Sequence, residues 1–155
     1  MQDTLPTEKK AGGALRLFMI GVLTIATTLG VNLAVRMLAF ASLPISPVFL
    51  PLQIGAISGF TIVLVGGGVL VYAGITRFSR HPARTYTTIA LLALLFSLIP
   101  PVLLVFHPDP RALPGVTPLA ASILMVLHII DALIVITLLT RLAPSRGRAA
   151  KEDIL

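Results

Sequence analysis

Polar and apolar residues separate into blocks along this chain. Four long apolar runs, at about residues 15–40, 50–76, 86–106 and 118–142, are divided by short polar segments. Each run has the ~20 residues that a helix needs to cross a ~30 Å hydrocarbon layer. Helix is the assignment that lipid permits, because an open strand edge finds no hydrogen-bond partner there. Short connections make consecutive helices antiparallel neighbours and bring the first beside the last. The pattern therefore predicts an all-α integral membrane protein, an up-down-up-down bundle of four transmembrane helices over residues 14–142. A disordered polar tail is expected at 1–13 and a second polar tail at 143–155.

The Ala39-Phe40-Ala41 triplet mimics a signal-peptide cleavage site. The first run is longer than a signal core, and Arg36 stands beside the triplet, so a retained helix is expected. Composition supports the membrane reading. Hydrophobic residues make up 56% of the 155 residues and charged ones 12%, with mean hydropathy +0.99. Soluble domains carry roughly twice that charge fraction. With no cysteine, a disulfide framework, a thiol nucleophile and a Cys-ligated metal are excluded.

A net charge of +6 would suggest nucleic acid in a soluble protein. Here the basic residues flank apolar runs, so no nucleic-acid partner is expected and the charge reads as orientation. Lys9, Lys10 and Arg16 precede the first helix, Arg77, Arg80 and Arg84 lie between the second and third, and Arg141, Arg146, Arg148 and Lys151 end the fourth. The other two loops are uncharged (41–49) or carry only Asp109 and Arg111 (107–117), and both are rich in proline. The basic side is expected in the cytoplasm with both termini.

Polar residues inside the runs are the candidates for chemistry. At ~1.5 Å per residue from the basic end of each helix, Thr28 stands at ~18 Å, Asn32 at ~24 Å and Arg36 at ~30 Å. By the same measure Asp131 stands at ~15 Å, and His128 and Ser97 at ~20 Å. His128 and Asp131 are three apart and share a helix face. An ionisable pair at that depth faces protein or water rather than lipid. The expected intramembrane polar centre is thus His128, Asp131, Asn32, Thr28 and Ser97, read either as a proton-relay or ligand site or as an interhelical clasp. Arg36 lies ~15 Å from Asp131 in height and is expected to anchor at the opposite interface. Gly55, Gly59 and Gly66 form a small-residue stripe suited to close helix packing, and Pro100-Pro101 is expected to kink the third helix.

Enzyme signatures are missing: there is no GxSxG, HExxH, phosphate-binding glycine loop or carboxylate pair. No cofactor and no metal site is expected, since His81 and His107 lie in opposite loops and leave His128 alone.

Five segments carry a family resemblance: NLAVR at 32–36, PVFLPLQ at 47–53, RFSRHPARTY at 77–86, SLIPP at 97–101 and LMVLHIIDALIVITLLTRL at 124–142. Over residues 15–142 the chain resembles an uncharacterised family of bacterial four-helix membrane proteins, a domain of unknown function frequent in actinobacteria. The resemblance implies a four-helix fold and a bacterial plasma membrane, and supplies no activity. The expected function is a non-catalytic accessory or interaction subunit, with a membrane protein or a second copy as partner. The alternative is a small transporter or proton-coupled carrier with a polar centre at His128 and Asp131.

Overall fold

Apolar runs of this length fold as helices because each backbone polar group is then satisfied within its own segment. The computed structural model describes the backbone of residues 6–143 and the side chains of residues 12–143. It contains α1 (Pro6–Ser42), a single 3-10 turn at Leu50–Leu52, α2 (Ile54–Phe78), α3 (Pro82–Ser97), α4 (Ile99–Phe106) and α5 (Pro118–Leu142). Four segments are long and apolar enough to span a membrane: Gly12–Ser42, Ile54–Phe78, Pro82–Phe106 (α3 with α4) and Pro118–Leu142.

The boundaries depart from the expected ones where local chemistry acts. The first helix starts at Pro6, within the expected disordered tail at 1–13. Proline suits a first helical turn because its missing N–H has no partner there anyway. Residues 1–5 of that tail, and 144–155 of the expected C-terminal tail, lie outside the described residues. The second helix begins at Ile54 rather than 50, because residues 50–52 form the 3-10 turn and Gln53 is extended (φ −73°, ψ 148°). The third begins at Pro82 rather than 86, again with proline in its first turn. The expected kink appears as an interruption at Leu98 between α3 and α4. Neither Pro100 nor Pro101 can donate to the carbonyls of Phe96 and Ser97 four residues back. The fourth helix runs over 118–142 as expected.

The helices close into a ring. α1 packs on α2 and on α5, α2 on α3, and both α3 and α4 on α5. The outside of the ring is apolar: Phe18, Met19, Val63, Leu70, Phe78, Phe96 and Phe106 are all exposed. In lipid such exposure costs nothing, since acyl chains are as apolar as a core.

Two separate apolar clusters fill the inside. One, built on Ala39, Ile57, Ala120 and Leu127, includes Ile45, Phe49, Leu52 and Val116 from the two proline-rich loops. These loops therefore cover one end of the bundle with buried side chains. Gly115 takes a positive φ of 77° where the loops meet, and a Cβ there would lie 2.8 Å from Ser46 Oγ. The other cluster, built on Ile20, Val65, Tyr72, Tyr86, Val135 and Leu139, fills the opposite end. Tyr72 and Tyr86 meet edge to face at 5.2 Å.

The glycine stripe does not pack as expected. A Cβ added at Gly55, Gly59 or Gly66 meets nothing within 4 Å. The buried face of α2 carries Ile57, Thr61, Val65 and Tyr72, and the stripe lies more than ~100° round the helix from it. The close approach of α1 to α2 is made at Gly21, where a Cβ would lie 2.9 Å from Val69 Cγ1.

Candidate functional site

A layer of polar side chains separates the two apolar clusters. On α1, Asn32 lies between Ile20 and Ala39, which belong to opposite clusters. On α2, Thr61 falls between Ile57 and Val65, and on α5 His128 and Asp131 fall between Leu127 and Val135. Asn32 is only 2% exposed and Thr61 4%. The Asn32 amide donates from Nδ2 to Thr61 Oγ1 at 3.0 Å, joining α1 to α2. This uses one of the two amide hydrogens, and Asn32 Oδ1 is buried without a partner.

On α5, His128 Nδ1 lies 2.7 Å from the Leu124 carbonyl oxygen. A carbonyl only accepts, so Nδ1 carries the proton and, in the neutral ring, Nε2 is left as an acceptor. Asp131 Oδ1 is also buried with no hydrogen-bond partner. The Asn32 amide hydrogen-bonds the Asp131 carboxyl, and the His128 ring acts on it electrostatically.

These groups open onto a cleft. A cavity of about 440 Å³ is lined by Asn32, Thr61, Ser97, His128 and Asp131, with apolar walls that include Phe60 and Leu64 of α2 and Pro100 and Leu104 of α4. A second cavity of about 350 Å³ shares Leu64, Ser97, His128 and Asp131 with it and extends past Gly68 to Tyr86. α2 makes little contact with α4, and Phe60 and Leu64 are 65% and 62% exposed. The cleft therefore opens sideways, between α2 and the third crossing. The helix interruption shapes it, because Ser97 and the two prolines that follow stand on its wall.

Of the expected polar centre, His128, Asp131, Asn32 and Ser97 come together at the cleft. Thr28 does not line it. Its hydroxyl donates to the Thr24 carbonyl at 2.8 Å, one turn back in its own helix, as threonine does when no better acceptor faces it. Thr61 belongs to the centre and was not expected there. The signal existed: counted from Arg77 it stands at ~24 Å, level with Asn32. Arg36 donates from Nε to the Leu52 carbonyl at 2.7 Å and stacks over the Phe40 ring at 4.5 Å. Rather than reaching freely for headgroups, it fixes the 3-10 turn that precedes α2.

Serine, histidine and aspartate all line the cleft, but not as a hydrolytic triad. The Ser97 hydroxyl donates to the Leu94 carbonyl at 2.8 Å, and His128 Nδ1 is engaged by Leu124 rather than by Asp131. A triad needs the acid on Nδ1 and the hydroxyl on Nε2. Among the described residues, no group of three His, Cys, Asp or Glu side chains is placed to hold a metal ion.

One comparison bears on identity. Residues 11–145 match the model of a family of unknown function, DUF6069. The chain belongs to this family. No curated protein and no solved structure matches it. Family membership thus agrees with the resemblance carried by the segments from NLAVR to the last helix, and the four-helix fold is that of this DUF6069 protein.

Proposed function

We propose that this protein is a non-catalytic, multi-pass membrane protein that holds a lipophilic small molecule in its lateral cleft, as a carrier or a sensor of it. The observation that carries this reading is the cleft itself: apolar walls open to the side, with a few convergent polar atoms at mid-depth. That combination is the general form of a small-molecule site, and 440 Å³ falls in the usual ~300–1,000 Å³ range. A bundle held only by an interhelical clasp has no need of such a volume. The arrangement of basic residues supports a topology with both termini cytoplasmic, and the family resemblance supports a bacterial plasma membrane.

The test is purification in mild detergent, followed by solvent extraction and mass spectrometry. A lipophile at near one-to-one stoichiometry, lost in Ser97→Phe, which fills the cleft, is the expected result. Empty protein from several membranes would overturn the reading.

A second reading, an accessory subunit, is favoured by one observation. Among the described residues, a Cβ added at Gly55, Gly59 or Gly66 meets nothing within 4 Å, and small residues let a foreign helix come close. A stoichiometric protein partner with an empty cleft would support it against the first reading.

A further inference from the structure

The cleft's polar atoms are of one kind. Asn32 Oδ1 and Asp131 Oδ1 are buried without partners, and His128 Nε2 is the acceptor that remains after Nδ1 binds Leu124. The donors nearby are engaged inside the site: the Asn32 amide nitrogen, which has two hydrogens, serves Thr61 and the Asp131 carboxyl, and the Ser97 hydroxyl serves Leu94. The ionisable side chains lining the two cavities are Asp131, His128 and Tyr86, with no lysine or arginine among them. Arg36, the intramembrane cation on α1, is engaged by Leu52 and Phe40. The site therefore holds more acceptors than donors around a carboxyl whose lining offers the His128 ring but no lysine or arginine, inside an otherwise apolar cleft.

Such a site discriminates by what a ligand donates. A neutral lipophile with one hydroxyl satisfies one acceptor. A ligand that accepts, such as a ketone or ester, satisfies none. A primary ammonium brings three donors and a full positive charge together. Its bonds to a carboxylate and an amide oxygen are charge-assisted and strengthened by the low dielectric. An apolar body then replaces lipid against Phe60, Leu64, Leu104 and Leu127.

Resting on the reading of the cleft as a lipophile site, we infer that its ligand class is the protonated lipophilic amine, with the ammonium donating to Asp131 and to Asn32 Oδ1. The bonds of the Asn32 amide nitrogen to Thr61 and toward Asp131 hold the amide so that its oxygen is the atom left for the ligand. Asp131 is the binding counter-ion, Asn32 the second acceptor and Thr61 a positioning residue.

A matched pair tests the inference: phenylbutylamine and phenylbutanol, titrated by calorimetry into the full chain in zwitterionic phosphatidylcholine nanodiscs, with empty nanodiscs as the blank. The amine is expected to bind about tenfold or more tightly than the alcohol. Asp131→Asn is expected to remove this preference while phenylbutanol still binds, and Asp131→Glu to keep it. Circular dichroism and gel filtration check the fold of each variant. Equal binding of the pair by the wild-type chain, or a preference that survives in a folded Asp131→Asn chain, would overturn the amine assignment and leave the lipophile reading standing. Binding of neither probe above the blank would count against both.

Discussion

Asn32 and Thr61 show how a pair of modest residues fixes the centre of a membrane bundle. Each is buried almost completely, and they bond only because α1 and α2 are neighbours at that height. Thr61→Val keeps the shape and deletes the acceptor, leaving one Asn32 amide hydrogen unpaired. The expected cost is about 1–2 kcal/mol in reversible detergent unfolding. Thr61→Ser restores the acceptor and should recover most of it. A valine variant as stable as the wild type would mean that the Asn32–Thr61 bond contributes nothing to the packing of α1 on α2. Height arithmetic made Asn32, Ser97, His128 and Asp131 legible as one group before any packing was known. It included Thr28 wrongly, because height along a helix carries no information about the direction a side chain takes round it. Arg36 is similar: its distance from Asp131 in height was readable, whereas its bond to a carbonyl sixteen residues on required the folded loop.

At the level of elements, the connections do as much as the helices. The two proline-rich loops bury Ile45, Phe49 and Val116 over one end of the bundle, and Gly115 is the position where they touch. An alanine there meets Ser46 Oγ at 2.8 Å and must also hold φ at 77°. Gly115→Ala should destabilise the protein by about 1–3 kcal/mol, seen as a lower midpoint of thermal unfolding in detergent. Adding Ser46→Gly relieves the collision with Ser46 but neither the 3.0 Å approach to Val48 Cγ2 nor the backbone strain, so the double variant should recover only part of the loss. Full recovery would show that the collision alone matters. The third crossing follows the same logic. Pro100-Pro101 announced an irregularity, and the interruption at Leu98 places Ser97 and both prolines on the cleft wall. That the interruption would open a cleft, and on which side, depended on α2 standing away from α4.

For the whole molecule, the basic residues at one end of every crossing predict a single orientation. Single cysteines can replace Ala112 in the second proline-rich loop and His81 in the basic loop, both exposed positions. The chain has no cysteine of its own to interfere. An impermeant thiol reagent applied to intact cells should label position 112 and spare position 81, with both labelled after permeabilisation. Labelling of position 81 alone in intact cells would invert the topology, and the cleft with it.

Read without its fold, the chain already shows the class, the four crossings, the family segments and the asymmetry of charge. These depend on length and composition, which lipid reads directly: a segment either is apolar enough to enter or is not. Tertiary structure decided which face of each helix turns inward. In water, an apolar stripe marks the buried side of a helix. In lipid, the inside and the outside are equally apolar, so the stripe carries no such mark. For that reason Gly55, Gly59 and Gly66 read as a packing face and stand open, while Gly21 makes the close contact. Only the few polar side chains carry a directional signal, and even they left Thr61 unseen until the packed helices placed it against Asn32.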